Sequence, residues 1–246
     1  MLSKTVKYLL FISTLPIPSV RGTGHDLNST QAIVLQGGTI ITYNTSTSSV
    51  AVLRNSSILI ADSVIVSVGE MVSHDDIVNA EVIDVSGQII SPGFSDTHRH
   101  LWQSAYRTIL SNTTLSEYLL RYGEFSTARK HFTPEDIYLG TLVGIYESLN
   151  AGVTSILDHA HHTWSSEQSV AGLQGAVDSR ARVWWAYGIH DLDSDFTLKD
   201  QFEDLRQLAK DEKNVWKGSK TSVGIAYDRF CLAERDEVES TLKLVR

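Results

Sequence analysis

His98 and His100 stand two residues apart at the end of GFSDTHRH, residues 93–100. An extended chain sends alternate side chains to the same face, so both imidazoles can present a nitrogen to one point. Two neutral imidazoles suit zinc, and also iron, nickel or copper, whereas magnesium and calcium prefer oxygen ligands. Asp96 shares that face and can orient a ligand histidine or lie beside a metal. Three further segments end in residues that bind metals or move protons near neutral pH: DHAHH with His159, His161 and His162, GIHD with His190, and AYDRF with Asp228. Cys231 is the only cysteine, so a thiolate cluster is excluded and any metal is held by histidine and carboxylate.

The elements that must position these residues alternate. After Pro92 comes a strand into His100, and Thr133-Pro134-Glu135-Asp136 then opens a helix with an N-cap and proline in its first turn. Its apolar face reads as Tyr138, Leu142, Ile145 and Leu149, and it stops at Gly152. VTSILDH, RVWWAYGIH and TSVGIAYDRF read as three more strands, separated by the helices SEQSVAGLQGAVDSRA and DFTLKDQFEDLRQLAKDEK. Strand and helix in alternation imply an α/β fold with a parallel sheet, whose chemistry collects at the C-terminal strand ends. Trp184 and Trp185 are adjacent in a strand and face opposite ways; Gly140 and Gly144 allow the first long helix to approach the sheet closely. Before Pro92 the grammar differs. AIVLQ, TIIT, VAVL, SILIA, VIVSVG and EVIDVSGQII are short β-branched runs between turn residues, which predict a small β-sheet or β-sandwich over residues 25–90.

Lys4 and Lys7 precede the apolar run Tyr8 to Ile12, and small residues follow, so residues 1–24 read as a secretory signal peptide. Pro16 and Pro18 interrupt that run, which is shorter than the roughly 20 residues of a membrane span. Sequons at Asn28, Asn44, Asn55 and Asn112 fit a secreted glycoprotein; without a signal the chain would be cytoplasmic. At the other end Glu234 to Arg246 forms a helix that stops without glycine, proline or a polar tail, so the 246-residue chain reads as cut off. A net charge of −8, from 21 Lys and Arg against 29 Asp and Glu, argues against nucleic-acid binding. No nucleophile elbow, dinucleotide fingerprint or Pro-Cys-x-x-Cys motif is present.

Residues 84–100, DVSGQIISPGFSDTHRH, resemble the amidohydrolase superfamily, in its branch of metal-dependent deaminases and chlorohydrolases. The Asp, the Gly, the Pro-Gly-Phe turn, Asp96 and the His-x-His pair fall in that family's order. The resemblance implies a (β/α)8 TIM-type barrel, incomplete here with about four βα units over residues 91–246, preceded by a small β-sandwich segment. It also implies one divalent metal, zinc foremost and iron as the alternative, on His98 and His100. The remaining ligands, from barrel strands five, six and eight, and the general base lie beyond Arg246. TSVGIAYDRF has no terminal lysine to bridge two metals, so a single-metal site is the reading. Trp102 and Gln103 resemble pocket-lining positions, and His159, His161 and His190 are assigned to substrate contact.

The function implied is hydrolysis of non-peptide carbon–nitrogen bonds in a small amide, amidine or N-heterocycle by metal-activated water. The chain alone is expected to be inactive, because two imidazoles hold zinc weakly and leave no general base. A non-catalytic half-barrel that binds a partner is the alternative, and a homodimer that completes a barrel is the third arrangement left open.

Overall fold

The computed structural model describes residues 9–12, 32–69, 80–210 and 216–244, and divides into two compact units after Phe94. The predicted signal peptide, apart from residues 9–12, and the sequon at Asn28 lie outside the described residues. No helix among the described residues is long and apolar enough to cross a membrane.

The first unit is one six-stranded sheet. Strand β1 (Leu9–Ile12) lies parallel to β6 (Ile89–Pro92). The long strands β2 (Ala32–Asn44) and β3 (Ser49–Ala61) are antiparallel, and β3 pairs antiparallel with β4 (Val64–Gly69). Strand β5 (Glu81–Asp84) runs parallel to the first half of β2, and β6 joins β2 at Thr39 and Ile40. The described residues thus show a single sheet and no sandwich. AIVLQ and TIIT, expected as two strands, are one. Gly37 takes a φ of 81° at a register shift, where the strand bulges instead of ending. A Cβ there would lie 2.6 Å from Ser86 Oγ. Side-chain alternation then buries Leu35 and Ile58 with Ile40, Val85 and Ile90 on one face, and Val34 and Leu59 on the other. The turn into β6 is closed by the Asp84 carboxylate, which accepts the Ser86 N–H at 2.9 Å, and by Gly87 at a φ of 75°.

The second unit opens within β7 (Phe94–Arg99), of which all but Phe94 belongs to it, followed by a 3-10 helix (Leu101–Tyr106), α1 (Leu115–Arg121), a second 3-10 helix (Thr127–His131) and α2 (Pro134–Asn150). Then come β8 (Val153–Ala160), α3 (Ser166–Asp178), β9 (Arg182–Ile189), α4 (Leu198–Lys210), β10 (Thr221–Tyr227) and α5 (Arg235–Leu244). The sheet order is β7-β8-β9-β10, with β8–β9 and β9–β10 parallel. The βα alternation therefore holds over four strands, half the number that closes a barrel. Helices α1 and α2 start at Thr-x-x-acid boxes: Thr114 with Glu117, and Thr133 with Asp136. Thr197 and Asp200 exchange the same hydrogen bonds at the start of α4.

One face of this sheet packs against helices. Ile156, Val183, Trp185, Tyr187, Ile189 and Tyr227 alternate onto it and form the core with Leu101, Ile145, Leu173 and Leu205. The other face carries Leu157 opposite Trp184, both classed as exposed, as expected for adjacent tryptophans facing opposite ways. Helix α2 departs from expectation. Its buried stripe is Ile137, Gly140, Thr141, Gly144, Ile145 and Ser148, while Leu149 and the row Leu139, Val143 and Tyr146 are exposed. The glycines press against the backbone of the 3-10 helix, not the sheet: a Cβ on Gly140 would lie 2.5 Å from the Trp102 carbonyl, and one on Gly144 2.6 Å from that of Leu101.

Candidate metal centre

The C-terminal ends of all four strands in the second unit carry the titratable residues singled out from sequence. His98 is the penultimate residue of β7 and His100 follows that strand; His159 is the penultimate residue of β8, His190 follows β9, and Asp228 follows β10. One ring nitrogen from each of His98, His100 and His159 lies within 4.8 Å of the others. The ring centroids of His98 and His100 are 4.9 Å apart, and that of His159 is 5.2 Å from each. His159, assigned from sequence to substrate contact, is therefore brought together with the His-x-His pair.

The hydrogen bonds fix which nitrogens are available. His100 Nδ1 lies 2.8 Å from the His159 carbonyl oxygen, so Nδ1–H donates and the lone pair remains on Nε2. Burial lowers the pKa of His100 to about 4, keeping the ring neutral, the form that ligates metal. His159 Nε2 lies 2.8 Å from Asp228 Oδ2. Burial alone would lower His159, but the hydrogen bond and charge of Asp228 outweigh it and its pKa is raised. Asp228 is held in turn from β10: its N–H donates to Ile189 O at 3.4 Å, and the next residue, Arg229, pairs with Glu237 at 2.9 Å and with Asp191. Asp96 accepts the backbone N–H of His98 at 3.3 Å and lies 3.6 Å from Arg99.

His161 stacks on His100 with 3.8 Å between centroids, yet the buried Trp102 indole N–H donates to its Nδ1 at 3.0 Å. The hydrogen of neutral His161 is therefore on Nε2, 3.8 Å from Glu124 Oε2. Trp102 is completely buried among Tyr106, Ile137 and Trp164, so it reaches the cluster through His161. Gln103 exchanges hydrogen bonds with the Tyr118 hydroxyl, at 2.8 and 3.2 Å. His190 is buried against Phe125, with both ring nitrogens lacking a hydrogen-bond partner among the described residues, and burial lowers its pKa to about 4. Its backbone is clamped by Gln201, which accepts from its N–H at 3.1 Å and donates to its carbonyl at 2.9 Å. His162 is not part of the cluster. It is completely buried under α3, and burial takes its pKa to about 3.

Glu124 and Tyr118 were not singled out from sequence. Burial raises the pKa of both, and Glu124 is further raised by the charge of Asp228. Both come from the segment between His100 and α2, where no periodic pattern marked them.

The family model that matches this chain is that of the Amidohydrolase family, over residues 89–236. A 5-methylthioadenosine/S-adenosylhomocysteine deaminase of Symbiobacterium thermophilum is 31% identical over 128 residues, covering 52% of this chain and 28% of that protein. Among solved structures, a triazine hydrolase of Arthrobacter aurescens superposes with a TM-score of 0.67 at 22% identity, over 87% of this chain and 50% of that one. An atrazine chlorohydrolase of the same organism, complexed with zinc and atraton, gives 0.64 at 23% identity, over 79% and 46%. The chain spans half or less of the length of these proteins.

Proposed function

Because the chain belongs to the amidohydrolase family, we propose that it forms the metal-binding portion of a hydrolase acting on non-peptide carbon–nitrogen bonds in small nitrogen-rich molecules. The observation that carries this reading is the pair His98 and His100 at the end of β7, with a third imidazole alongside. The residues fit a divalent metal: His100 is neutral with its lone pair free on Nε2, and a mixed set of imidazoles suits zinc, with iron second. When bound, such an ion supplies Lewis acidity, lowering the pKa of water toward neutrality and polarising the group under attack.

The chain's own residues do the rest. His161, buried and stacked on His100 with its Nε2 hydrogen toward Glu124, holds the ring of His100 in place beside the cluster. Asp228 and Glu124 present carboxylates that accept from amino or amidine N–H groups, and the raised pKa of Glu124 suits it to hold a proton. The named activities of the relatives and structural neighbours, deaminase, triazine hydrolase and chlorohydrolase, support aminated or halogenated N-heterocycles as the substrate class.

The test is release of ammonia or amine from a panel of aminated purines, nucleosides and triazines. The protein purified from its natural source is expected to turn over at least one of them with zinc or iron supplied, and to lose that activity on chelation. The 246-residue chain alone is expected to stay near background, since four strands do not enclose a barrel mouth. Natural protein that releases no amine with either metal would overturn the reading.

A further inference from the structure

Asp158 stands where a strand ordinarily carries an apolar residue. In β8 it shares the core-facing side with Ile156 and Ala160, and all three are completely buried, whereas His159 faces the other way, toward His98 and His100. A carboxyl taken out of water is costly unless hydrogen bonds compensate it. Its Oδ1 accepts the backbone N–H of Leu101 at 3.0 Å, and Oδ2 has no partner among the described residues. Leu101 opens the 3-10 helix, and His100, which occupies the N-cap position, makes no side-chain cap hydrogen bond. The first N–H groups of a helix find no acceptor within it. Asp158 supplies that acceptor from β8 and leaves the His100 imidazole free to turn toward the cluster. The next residue of β8 completes the grip, since the His159 carbonyl accepts from His100 Nδ1 at 2.8 Å. Gly144 of α2 packs on the Leu101 carbonyl, where a Cβ would lie 2.6 Å away. The step from His100 to Leu101 is thus held at its ring, its N–H and its carbonyl.

We propose that Asp158 is a positioning residue of the metal centre: it caps the 3-10 helix from β8 and so aims the His100 ring, touching neither metal nor substrate itself. The inference rests on the assignment of a metal to His98 and His100. Asp158 lies on the helix-packed side of the sheet, so its influence on the cluster runs through the Leu101 amide. That amide belongs to the residue directly after His100, and a shift there turns the imidazole out of line with His98. Outer partners that fix a ligand ring change metal affinity by about 10- to 100-fold when removed, which is the scale of effect expected here.

The experiment uses the 246-residue chain stripped of metal, with Zn2+ alone as the probe. Zinc affinity is measured by equilibrium dialysis and stability by urea denaturation of the metal-free chain, so that loss of one is told from loss of the other. Wild type is expected to bind zinc and His98→Ala to lose it. Asp158→Leu, which removes the acceptor at similar volume, should weaken zinc by about tenfold or more in a chain that far-UV circular dichroism shows to be folded. Asp158→Asn keeps an acceptor oxygen in the same place and should bind zinc as wild type does. Tyr187→Phe removes a buried hydrogen bond to Asp204, 2.9 Å long and on the helix side of β9, and should lower the urea midpoint while leaving zinc binding unchanged. If Asp158→Leu does not fold, Asp158→Ala takes its place. If Asp158→Leu binds as wild type does while His98→Ala does not, this inference falls and the His98–His100 reading stands. The inference also falls if Asp158→Asn or Tyr187→Phe loses as much affinity as Asp158→Leu. If wild type binds no zinc, both fall.

Discussion

Replacing Gly172 with alanine is expected to cost about 3 kcal/mol, at the upper end of what overpacking a core does. Gly172 lies on α3 directly over His162, and a Cβ there would sit 2.1 Å from Cε1 and 2.3 Å from Nε2 of that ring. The ring has no room to retreat, being completely buried. The expectation is checked by urea denaturation of the wild type, G172A, H162A and the double variant. Removing the ring frees the space that the new methyl needs, so the double variant should recover 1 kcal/mol or more, about the coupling of residues in direct contact. A cost for G172A below about 0.5 kcal/mol, the range of surface substitutions, would show that the helix does not rest on this ring.

Acid should unfold the metal-free chain. A histidine whose folded pKa lies below its unfolded value of about 6.5 binds fewer protons folded than unfolded, so stability is lost as pH falls through that window. His162 and His190, at about 3 and 4, meet this condition, and burial lowers His161 and His100 in the same direction. Between pH 7 and pH 4, His162 and His190 each remove about 3 kcal/mol, a large part of a typical domain stability of about 5–15 kcal/mol. Asp158 opposes them. Burial raises its pKa to about 7, so the folded state takes up a proton on acidification and gains about as much as one histidine loses. Glu124 and His159, whose pKa values are also raised, act in the same sense as Asp158, yet four buried histidines with lowered pKa values outweigh these three and leave a net loss. The urea midpoint should therefore fall steeply from pH 7 to pH 4; a midpoint that holds or rises over that range would contradict the burial of these rings.

What was legible in the sequence was mostly local. Period-two spacing placed His98 and His100 together, the Thr133 capping box marked the start of α2, and the alternation of strand and helix fixed the parallel second sheet. Non-local facts were hidden. His159 lies 59 residues from His100, and the two are brought together by the adjacency of β7 and β8 in the sheet and by the His100–His159 hydrogen bond. The buried face of α2 was misjudged because periodicity ranks Leu142 and Leu149 above Gly140 and Gly144, whereas backbone contact with the 3-10 helix rewards the residues with no side chain. Gly37-Gly38 reads as a break between strands, yet a positive φ lets β2 bulge and change partner from β5 to β6 without ending. The short helices between His100 and Thr133 give too few turns for a periodic signal, so Tyr118 and Glu124 passed unnoticed.

The pairing of Leu157 with Trp184 on the open face of the second sheet makes that face optically distinct. Trp102, Trp164 and Trp185 are buried and Trp216 is half-buried, whereas Trp184 is 43% exposed. Collisional quenching by acrylamide therefore falls mainly on one emitter of five, and the red side of the emission spectrum belongs largely to its indole. Whatever comes to cover this face, be it further chain or a second molecule, would shield that indole and shift the spectrum to the blue, leaving the buried emitters unchanged.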